Sequence, residues 1–182
     1  MTLIKTRARG LKLDDTFAFT GTVSGAGGIT MADQWRITTG FALPQDTSTL
    51  VNANWEQVDT DGFANIGSSM SQSSGIWTFP TTGIYLIQWC PQIIQPSQGA
   101  TRAAGEIYTT TDNSSYDVAA DNYQNIYHSN GRAQPVVNFM FDVTNTSTHK
   151  CKLHGLCEFA ATLHGNSTVN RTYATFLRLG DT

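Results

Sequence analysis

The 182-residue sequence predicts an all-β protein whose antiparallel strands form a sandwich. Short runs of strand-forming residues recur along the chain, and turns rich in Gly, Pro, Asn and Asp separate them. Charged residues make up only 14% of the sequence, whereas about a quarter is typical of globular proteins. Ser, Thr, Asn, Gln and Gly supply the polar surface instead, which suits sheets and turns better than helices.

The strand predicted at residues 84–90 is largely apolar on both faces. Its side chains alternate between the faces, with Ile84, Leu86, Gln88 and Cys90 on one and Tyr85, Ile87 and Trp89 on the other. An antiparallel sheet with one side in water has a polar face, so this strand needs cover from two directions. We therefore expect the sandwich core on one face and a neighbouring subunit on the other.

The remaining predicted strands are shorter or more polar. They lie at residues 34–38, 55–58, 63–66, 76–79, 106–110 and 136–143. We expect a turn at residues 59–62 and long loops at residues 41–52 and 91–105, because proline, glycine and small polar residues interrupt the strand pattern there.

The most regular alternation in the sequence spans residues 151–163. The inward positions of this segment are Cys151, Leu153, Cys157, Phe159, Ala161 and Leu163, with Gly155 in the gap. The opposite face, with Lys152, His154, Leu156 and Glu158, is predicted to meet water. This strand therefore differs from the one at residues 84–90, which is predicted to be covered on both sides.

Two segments carry a resemblance to a known family. The pattern Phe79-Pro80-x-x-Gly83-x-Tyr85 resembles the third-strand signature of the jelly roll shared by tumour necrosis factors and complement-type globular heads. Residues 173–179 are similar to the terminal aromatic strand of that family. The resemblance covers residues 32–179 and implies an antiparallel jelly-roll β-sandwich that assembles as a homotrimer.

The family register also implies roles for individual residues. It places Tyr85, Ile87, Trp89 and Phe176 in the sandwich core. It places Ile84, Leu86, Gln88, Tyr173 and Leu177 at the three-fold axis, where they form the trimer interface.

The first 31 residues differ from the rest in composition. Lys5, Arg7, Arg9 and Lys12 are four of the eleven basic residues, and Phe17 and Phe19 follow in an alternating run. A Gly-rich break at residues 24–28 then separates this run from the sandwich pattern. We interpret residues 1–31 as an N-terminal arm with a hinge and residues 32–182 as the jelly-roll domain. The alternative is that the run forms a first strand of the sandwich.

The arm resembles short leader segments on virion surface proteins of bacteriophages. We therefore predict a structural virion protein: a trimeric capsid decoration, or cement, protein on the virion surface. It would be made in the cytoplasm of the host bacterium and bind the major capsid protein through the arm. The attachment residues would be Lys5, Arg7, Arg9, Lys12, Phe17 and Phe19.

Two other functions remain open from the sequence. The first is a receptor-binding head of a phage tail fibre, and the second is a stand-alone bacterial lectin. Both would bind glycan, and aromatic faces next to amides suit such a ligand. The candidate ligand-binding loop contains Tyr116, Asn122, Tyr123 and Tyr127, and packing of these aromatic residues within the sandwich is the alternative.

The sequence provides no sign of catalysis or of a cofactor. The motif His149-x-Cys151-x-x-His154-x-x-Cys157 has residue types that suit zinc. On a strand, however, His154 points away from both cysteines, which are themselves about 20 Å apart. The Asp-Thr-Asp-Gly sequence at residues 59–62 has the composition of a turn and lacks the further ligands of a calcium loop. We therefore predict no metal site, no catalytic residue and no enzyme activity.

Bulk properties exclude other partners. The formal net charge is −3 and the basic residues do not form a nucleic-acid footprint, so we expect no nucleic acid. No apolar run approaches the ~18 residues of a membrane helix, so we expect no membrane. The N-terminus lacks an apolar signal core, and we therefore expect the three cysteines to be buried, reduced thiols.

Overall fold

The computed structural model of the protein describes residues 28–95 and 97–182. Every regular element in these residues is a β-strand, and none of them forms a helix. All pairings between the strands are antiparallel. The predicted all-β antiparallel fold is therefore confirmed. The same residues contain no helix that is long and apolar enough to cross a membrane.

The strands differ widely in length. In chain order they are β1 (Met31–Ile37), β2 (Phe41–Leu43), β3 (Thr49–Leu50), β4 (Trp55–Gln57), β5 (Ser71–Ser73), β6 (Ile76–Thr78), β7 (Gly83–Cys90), β8 (Ile93–Gln95), β9 (Ala100–Thr110), β10 (Asp117–Ile126), β11 (Gly131–Ala133), β12 (Val137–Val143), β13 (Lys150–Cys157), β14 (Ala161–Leu163) and β15 (Tyr173–Gly180).

Two large sheets and one small sheet make up the sandwich. The five-stranded sheet has the order β12-β7-β15-β1-β4. The six-stranded sheet has the order β10-β9-β13-β6-β5, and β3 pairs with β13 beside it. The four-stranded sheet, with the order β11-β8-β14-β2, is separate from these two large sheets. Neighbours in each sheet are mostly distant in sequence, as a jelly roll requires.

A cluster of aromatic side chains fills the space between the two large sheets. Trp77 has no exposed surface, and its ring lies 4.9 Å from Trp55, 5.0 Å from Phe176 and 5.4 Å from Trp35, measured between centroids. Phe79 packs against Tyr85 at 4.7 Å in the same core. The side chains predicted to fill the core are all fully buried: Tyr85, Ile87, Trp89 and Phe176.

The Pro80–Gly83 turn carries the chain from one large sheet to the other, because β6 and β7 belong to different sheets. Gly83 ends this crossing with φ at 143°, in the region that favours glycine. A Cβ atom at this position would lie 2.6 Å from the carbonyl oxygen of Gly180. The glycine of the sequence signature therefore permits close approach of two backbones.

Several sequence predictions were wrong about the extent of strands. The predicted loops at residues 41–52 and 91–105 contain β2, β3, β8 and the first half of β9. Residues 63–66 form no strand, and only Ile66 makes an isolated bridge, to Ala32. Short strands of this kind are held by pairing with segments distant in sequence, which local composition does not reveal.

Residues 151–163 also do not form one strand. The chain bends after β13, and β14 then joins the four-stranded sheet. The inward residues Cys151, Leu153 and Leu163 are fully buried, because both strands face the same interior, whereas Phe159 at the bend is half-buried. The predicted wet face is partly covered as well: Leu156 is buried, and His154 is half-buried with its ring in contact with Ser48.

The described chain begins at Gly28, and β1 begins at Met31, which is buried. The sandwich therefore includes the last residue of the segment 1–31. The proposed attachment residues all lie outside the described residues: Lys5, Arg7, Arg9, Lys12, Phe17 and Phe19.

We expect Trp77→Ala to lower the free energy of unfolding by about 3–5 kcal/mol, because it opens a cavity among three aromatic neighbours. Chemical denaturation measures this loss. Tyr127→Ala is the control, since Tyr127 is 87% exposed, and it should change stability by less than about 0.5 kcal/mol. A Trp77 variant as stable as this control would contradict the assigned core.

Candidate functional site

The outward face of the five-stranded sheet is not covered by other strands in the described part of the chain. On β12, the inward residues Val137, Phe141 and Val143 are buried, whereas Met140 is 65% exposed. On β7, Ile84 is 36% exposed, and Leu86 and Gln88 are half-buried. We call this surface the open face.

An apolar row crosses four strands of the open face. Leu86 lies directly opposite Met140 on one side and Leu177 on the other. Leu177 in turn lies opposite Ala32. Directly paired side chains on one face of a sheet are about 5 Å apart, so these four form a continuous apolar stripe. Ile84 extends the stripe towards the next row.

A polar row runs beside the apolar one. Gln88 lies opposite Asn138 and Thr175, and Thr175 lies opposite Gln34. Gln88 Nε2 donates to Asn138 Oδ1 at 3.1 Å, and Gln34 Nε2 donates to Thr175 Oγ1 at 2.9 Å. These side chains satisfy one another along the row, so it can be covered by another surface at a lower desolvation cost than isolated amides.

A third row closes the open face at the end of β7. Tyr173 lies opposite Cys90 and Arg36, and both of these partners are buried. Burial raises the pKa of the Cys90 thiol, and burial together with Cys90 raises the pKa of Tyr173 to about 12. Arg36 donates to Glu56 and Asp59, each at 2.7 Å, so the charge of this buried guanidinium is balanced.

The structure thus brings the predicted interface residues Ile84, Leu86, Gln88, Tyr173 and Leu177 onto one face. Their arrangement has the features of a surface that associates with protein, namely an apolar stripe beside polar groups that are already paired. Met140 is the most exposed apolar residue of the stripe, and the sequence analysis placed it on a strand without assigning it to the interface.

The candidate glycan residues do not form one patch. Asn122 and Tyr123 lie within β10, and Tyr116 and Tyr127 flank its two ends, so the predicted loop is a strand. At strand spacing the two flanking tyrosines are roughly 30 Å apart. The Tyr116 ring is covered by Lys152 Nζ, 3.5 Å from its centroid, and Asn122 donates to the carbonyl oxygen of Val136. Tyr123 and Tyr127, which are four positions apart at the end of β10, remain exposed.

The residues of the zinc-like motif do not converge either. Cys151 and Cys157 point into the core, and His154 lies on the other face of β13. His149 is bound to Thr144 Oγ1 at 3.1 Å. Burial strongly raises the pKa of the Cys151 thiol, which disfavours the thiolate that zinc needs. Cys90, Cys151 and Cys157 are free and buried, and the described residues contain no group of three or more potential ligands placed around a metal.

One polar cluster was missed by the sequence analysis. Ser48 Oγ lies 3.0 Å from His154 Nδ1 and 3.3 Å from the Tyr108 hydroxyl, and it also contacts Glu106 Oε2. The rings of Tyr108 and His154 stack with centroids 4.2 Å apart. These residues come from three distant segments, so no local pattern could have predicted the cluster.

The hydrogen bonds of this cluster do not match those of a catalytic triad. The Ser48 hydroxyl has one proton, which it donates to Glu106. His154 Nδ1 must then carry a proton and donate to Ser48, while Nε2 is buried without a partner. A triad requires the opposite: the imidazole accepts the serine proton and the carboxylate orients the imidazole. The cluster instead links Ser48 to β9 and β13, next to the edge at which β3 pairs with β13.

The open face lies on a jelly roll, and the fold is the one found in tumour necrosis factor proteins. The structure is similar to Eiger TNF from S. frugiperda, with a TM-score of 0.63 and 10% identity, over 85% of this chain and 96% of Eiger. Murine APRIL at pH 5.0 gives a TM-score of 0.57 and 11% identity, over 82% of this chain and 98% of APRIL.

A jelly roll from a phage particle is similar as well. Vertex protein P5 of phage PRD1 gives a TM-score of 0.52 and 13% identity, over 86% of this chain and all of the P5 chain. At these identities the likeness shows the fold alone. No protein-family model matches the chain, and no curated protein matches it.

We expect stability to fall as the pH drops from 6.5 to about 4, because His154 stays neutral in the folded protein. Desolvation, and then Lys152, lower the pKa of His154 from 6.5 to about 4. The unfolded chain therefore binds more protons in this window, and stability rises with pH. Each pKa unit is worth about 1.4 kcal/mol, so the loss is at most about 3 kcal/mol and is reduced by partial exposure.

The measurement is denaturant unfolding of the wild type and of His154→Gln across this pH range. The variant cannot titrate at position 154 and should lose less stability on acidification. His128→Gln, which removes an exposed histidine, should retain the wild-type slope. Equal slopes for the wild type and the His154 variant would contradict the assignment.

Proposed function

We propose that this protein is a structural virion protein of a bacteriophage, namely a trimeric capsid decoration protein. It attaches to the outer shell through residues 1–31. The observation that carries the proposal is the open face, a sheet surface with an apolar stripe on a jelly roll. The role is structural rather than catalytic, because the polar cluster around Ser48 does not activate the hydroxyl and the other candidate residues do not converge.

The open face supports assembly into a trimer. The stripe formed by Met140, Leu86 and Leu177 has no partner in the described part of the chain. Large apolar patches on a soluble protein usually mark an interaction surface. Three copies packed around an axis would bury the stripe of each, and the resemblance to trimeric jelly rolls favours that number.

The location on a virion is supported by the similarity to PRD1 vertex protein P5, which is a component of a phage particle by its name. The partner would be the major capsid protein. The basic and aromatic residues of the arm suit a shell surface that offers carboxylates and an apolar groove. Three arms on one trimer would raise the affinity through effective concentration.

A second candidate function is a receptor-binding head that recognises host-surface glycan. The observation that favours it is the exposure of Tyr123, at 47%, on the edge strand β10, and of Tyr127, at 87%, directly after that strand. Exposed aromatic side chains provide the flat apolar surface that sugar rings contact. We place it second because β10 spreads the four candidate residues along its length.

We expect the wild type to be a trimer and Leu86→Asp to be a folded monomer. The substitution would bring three carboxylates together in a buried interface, at a cost of several kcal/mol each. Light scattering gives the mass, and far-ultraviolet circular dichroism checks the fold. Val118→Asp, at a position 47% exposed on β10 of the six-stranded sheet, should remain a trimer. A trimeric Leu86 variant of unchanged stability would show that another face assembles.

Deletion of residues 2–27 should leave a folded trimer that no longer binds particles stripped of this protein. The reason is that the sandwich pattern from β1 onward is complete without that segment. The assay is co-sedimentation with stripped particles, and the full-length chain is the control. A truncated protein that does not fold would identify the segment as a sandwich strand, and one that binds normally would place attachment on the sandwich.

A further inference from the structure

Seven of the eleven basic residues lie in the described part of the chain, and five of them are occupied. Three arginines form ion pairs with carboxylates, namely Arg36, Arg102 and Arg178. Lys150 donates to Thr78 and Thr146, and Lys152 lies over the Tyr116 ring. The side chains of Arg132 and Arg171 have no acceptor among the described residues, and Arg171 Nε is buried without a partner.

The two unpaired arginines lie around one end of the four-stranded sheet. Arg132 on β11 is opposite Ile94 on β8, and Ile94 is opposite Thr162 on β14. Ala133, the next residue on β11, is buried, so Arg132 and Gln134 project away from the core. The outer face at this edge of the small sheet therefore carries Arg132 and Gln134, next to Ile94 and Thr162.

Hydrogen bonds hold Arg171 beside this face. Gln134 Nε2 donates to the carbonyl oxygen of Arg171 at 2.9 Å, and Gln92 N donates to Thr172 Oγ1 at 3.0 Å. Gln92 Oε1 lies 2.7 Å from His164 Nδ1. The two glutamines thus connect the strand that carries Arg132, the segment that carries Arg171 and the imidazole of His164.

The charge at this face is uncompensated. Desolvation lowers the pKa of His164, and the positive charges of Arg132 and Arg171 lower it further. No carboxylate of the described residues forms an ion pair with Arg132 or Arg171. This positive face belongs to a chain whose formal net charge is −3, so it does not reflect a generally basic protein.

We propose that Arg132, Arg171 and His164, with the amides of Gln92 and Gln134, form a binding site for the carboxylate or phosphate groups of an acidic polysaccharide. Guanidinium groups match both anions with paired hydrogen bonds. The neighbouring amides can donate to and accept from sugar hydroxyl groups. An acidic protein surface offers the same charge but far fewer hydroxyl groups than a sugar chain, so it is the less favoured partner.

The position of the site fits a partner outside the particle. The described chain begins next to Met31, and β1 then runs to Ile37, whose amide donates to the carbonyl oxygen of Thr172 at 3.1 Å. Arg171 is therefore at the end of the sandwich opposite to the start of the described chain. The outward orientation of the site rests on the proposed function, in which the arm faces the shell. The assignment of an anion site to these residues does not depend on that function.

The test is calorimetric titration of the full chain at low salt with three oligosaccharides of equal length: an oligouronate, a phosphorylated oligomannose and a neutral oligoglucose. A poly-glutamate peptide is titrated as well, to represent an acidic protein. We expect at least one acidic probe to bind, the neutral one not to bind, and affinity to fall with added salt. The stronger of the two acidic probes identifies the anion. Arg132→Gln and Arg171→Gln should each weaken binding about tenfold or more, since each removes a charge-assisted contact.

Arg102→Gln is the matched control. Arg102 is a half-exposed arginine on β9 of the six-stranded sheet, and it forms an ion pair with Asp46. This variant should bind the acidic probes as the wild type does. Nuclear magnetic resonance of His164 gives an independent readout: a bound anion should raise its pKa in the wild type. The proposal is overturned if neither acidic probe binds, if Arg132→Gln and Arg171→Gln bind like the control, or if only a poly-glutamate peptide binds.

The same variants separate this site from the proposed function. Arg132→Gln should still decorate stripped particles, because attachment is assigned to residues 1–31. Loss of polysaccharide binding with normal decoration supports both proposals. Normal polysaccharide binding by a chain that never decorates particles would refute only the shell attachment.

Discussion

The inward side chains of β7 pack into a core whose opposite wall is the six-stranded sheet, while the outward side chains Ile84 and Leu86 of the same strand are apolar as well. The need to cover both faces of this strand organises the fold. Trp89 on β7 is fully buried, and its Nε1 donates to the backbone carbonyl oxygen of His154 on β13 at 2.8 Å. One hydrogen bond across the core thus joins the central strands of two sheets, and an unmet indole donor would be costly there.

His154 links the core to the outer surface. Its carbonyl oxygen accepts from Trp89 on the inner side, and its imidazole meets Ser48 and Tyr108 on the outer side. The segment of residues 44–50 is thereby attached to the same strand that closes the core. Contact with Ser48 and Tyr108 also explains why His154 loses solvent and why its pKa is lowered.

Side-chain alternation predicted much of this architecture. The period of two at residues 84–90 correctly separated inward Tyr85, Ile87 and Trp89 from their outward neighbours, because the strand has one face in the core. Alternation could not show that the chain bends after β13 and changes sheets, since Cys157 and Leu163 face the same interior on both sides of the bend.

The sites were predictable only where they lie on one strand or depend on a family resemblance. The outward residues of β7 could be identified because they alternate with buried ones. Met140 joins them through strand pairing with Leu86, which links residues 54 positions apart and leaves no local trace. The cluster around Ser48 and the pair Arg132 and Arg171 likewise arise from pairings between distant segments, so composition alone suggested neither.

The positions of the open face and the basic site are geometrically related. β15 contributes Leu177 and Tyr173 to the open face, and Arg171 lies two residues before Tyr173, at the end of that face. Assembly through the open face would therefore bring three copies of the basic site to the same end of the trimer. Weak contacts with single anionic groups would then act together on a polymer that spans them, since the second and third contacts form at a high effective concentration. Under that arrangement, each basic site needs only a modest affinity for the trimer to bind the polymer. A site built from two arginines and neutral amides, rather than from a deep pocket, is consistent with such an affinity.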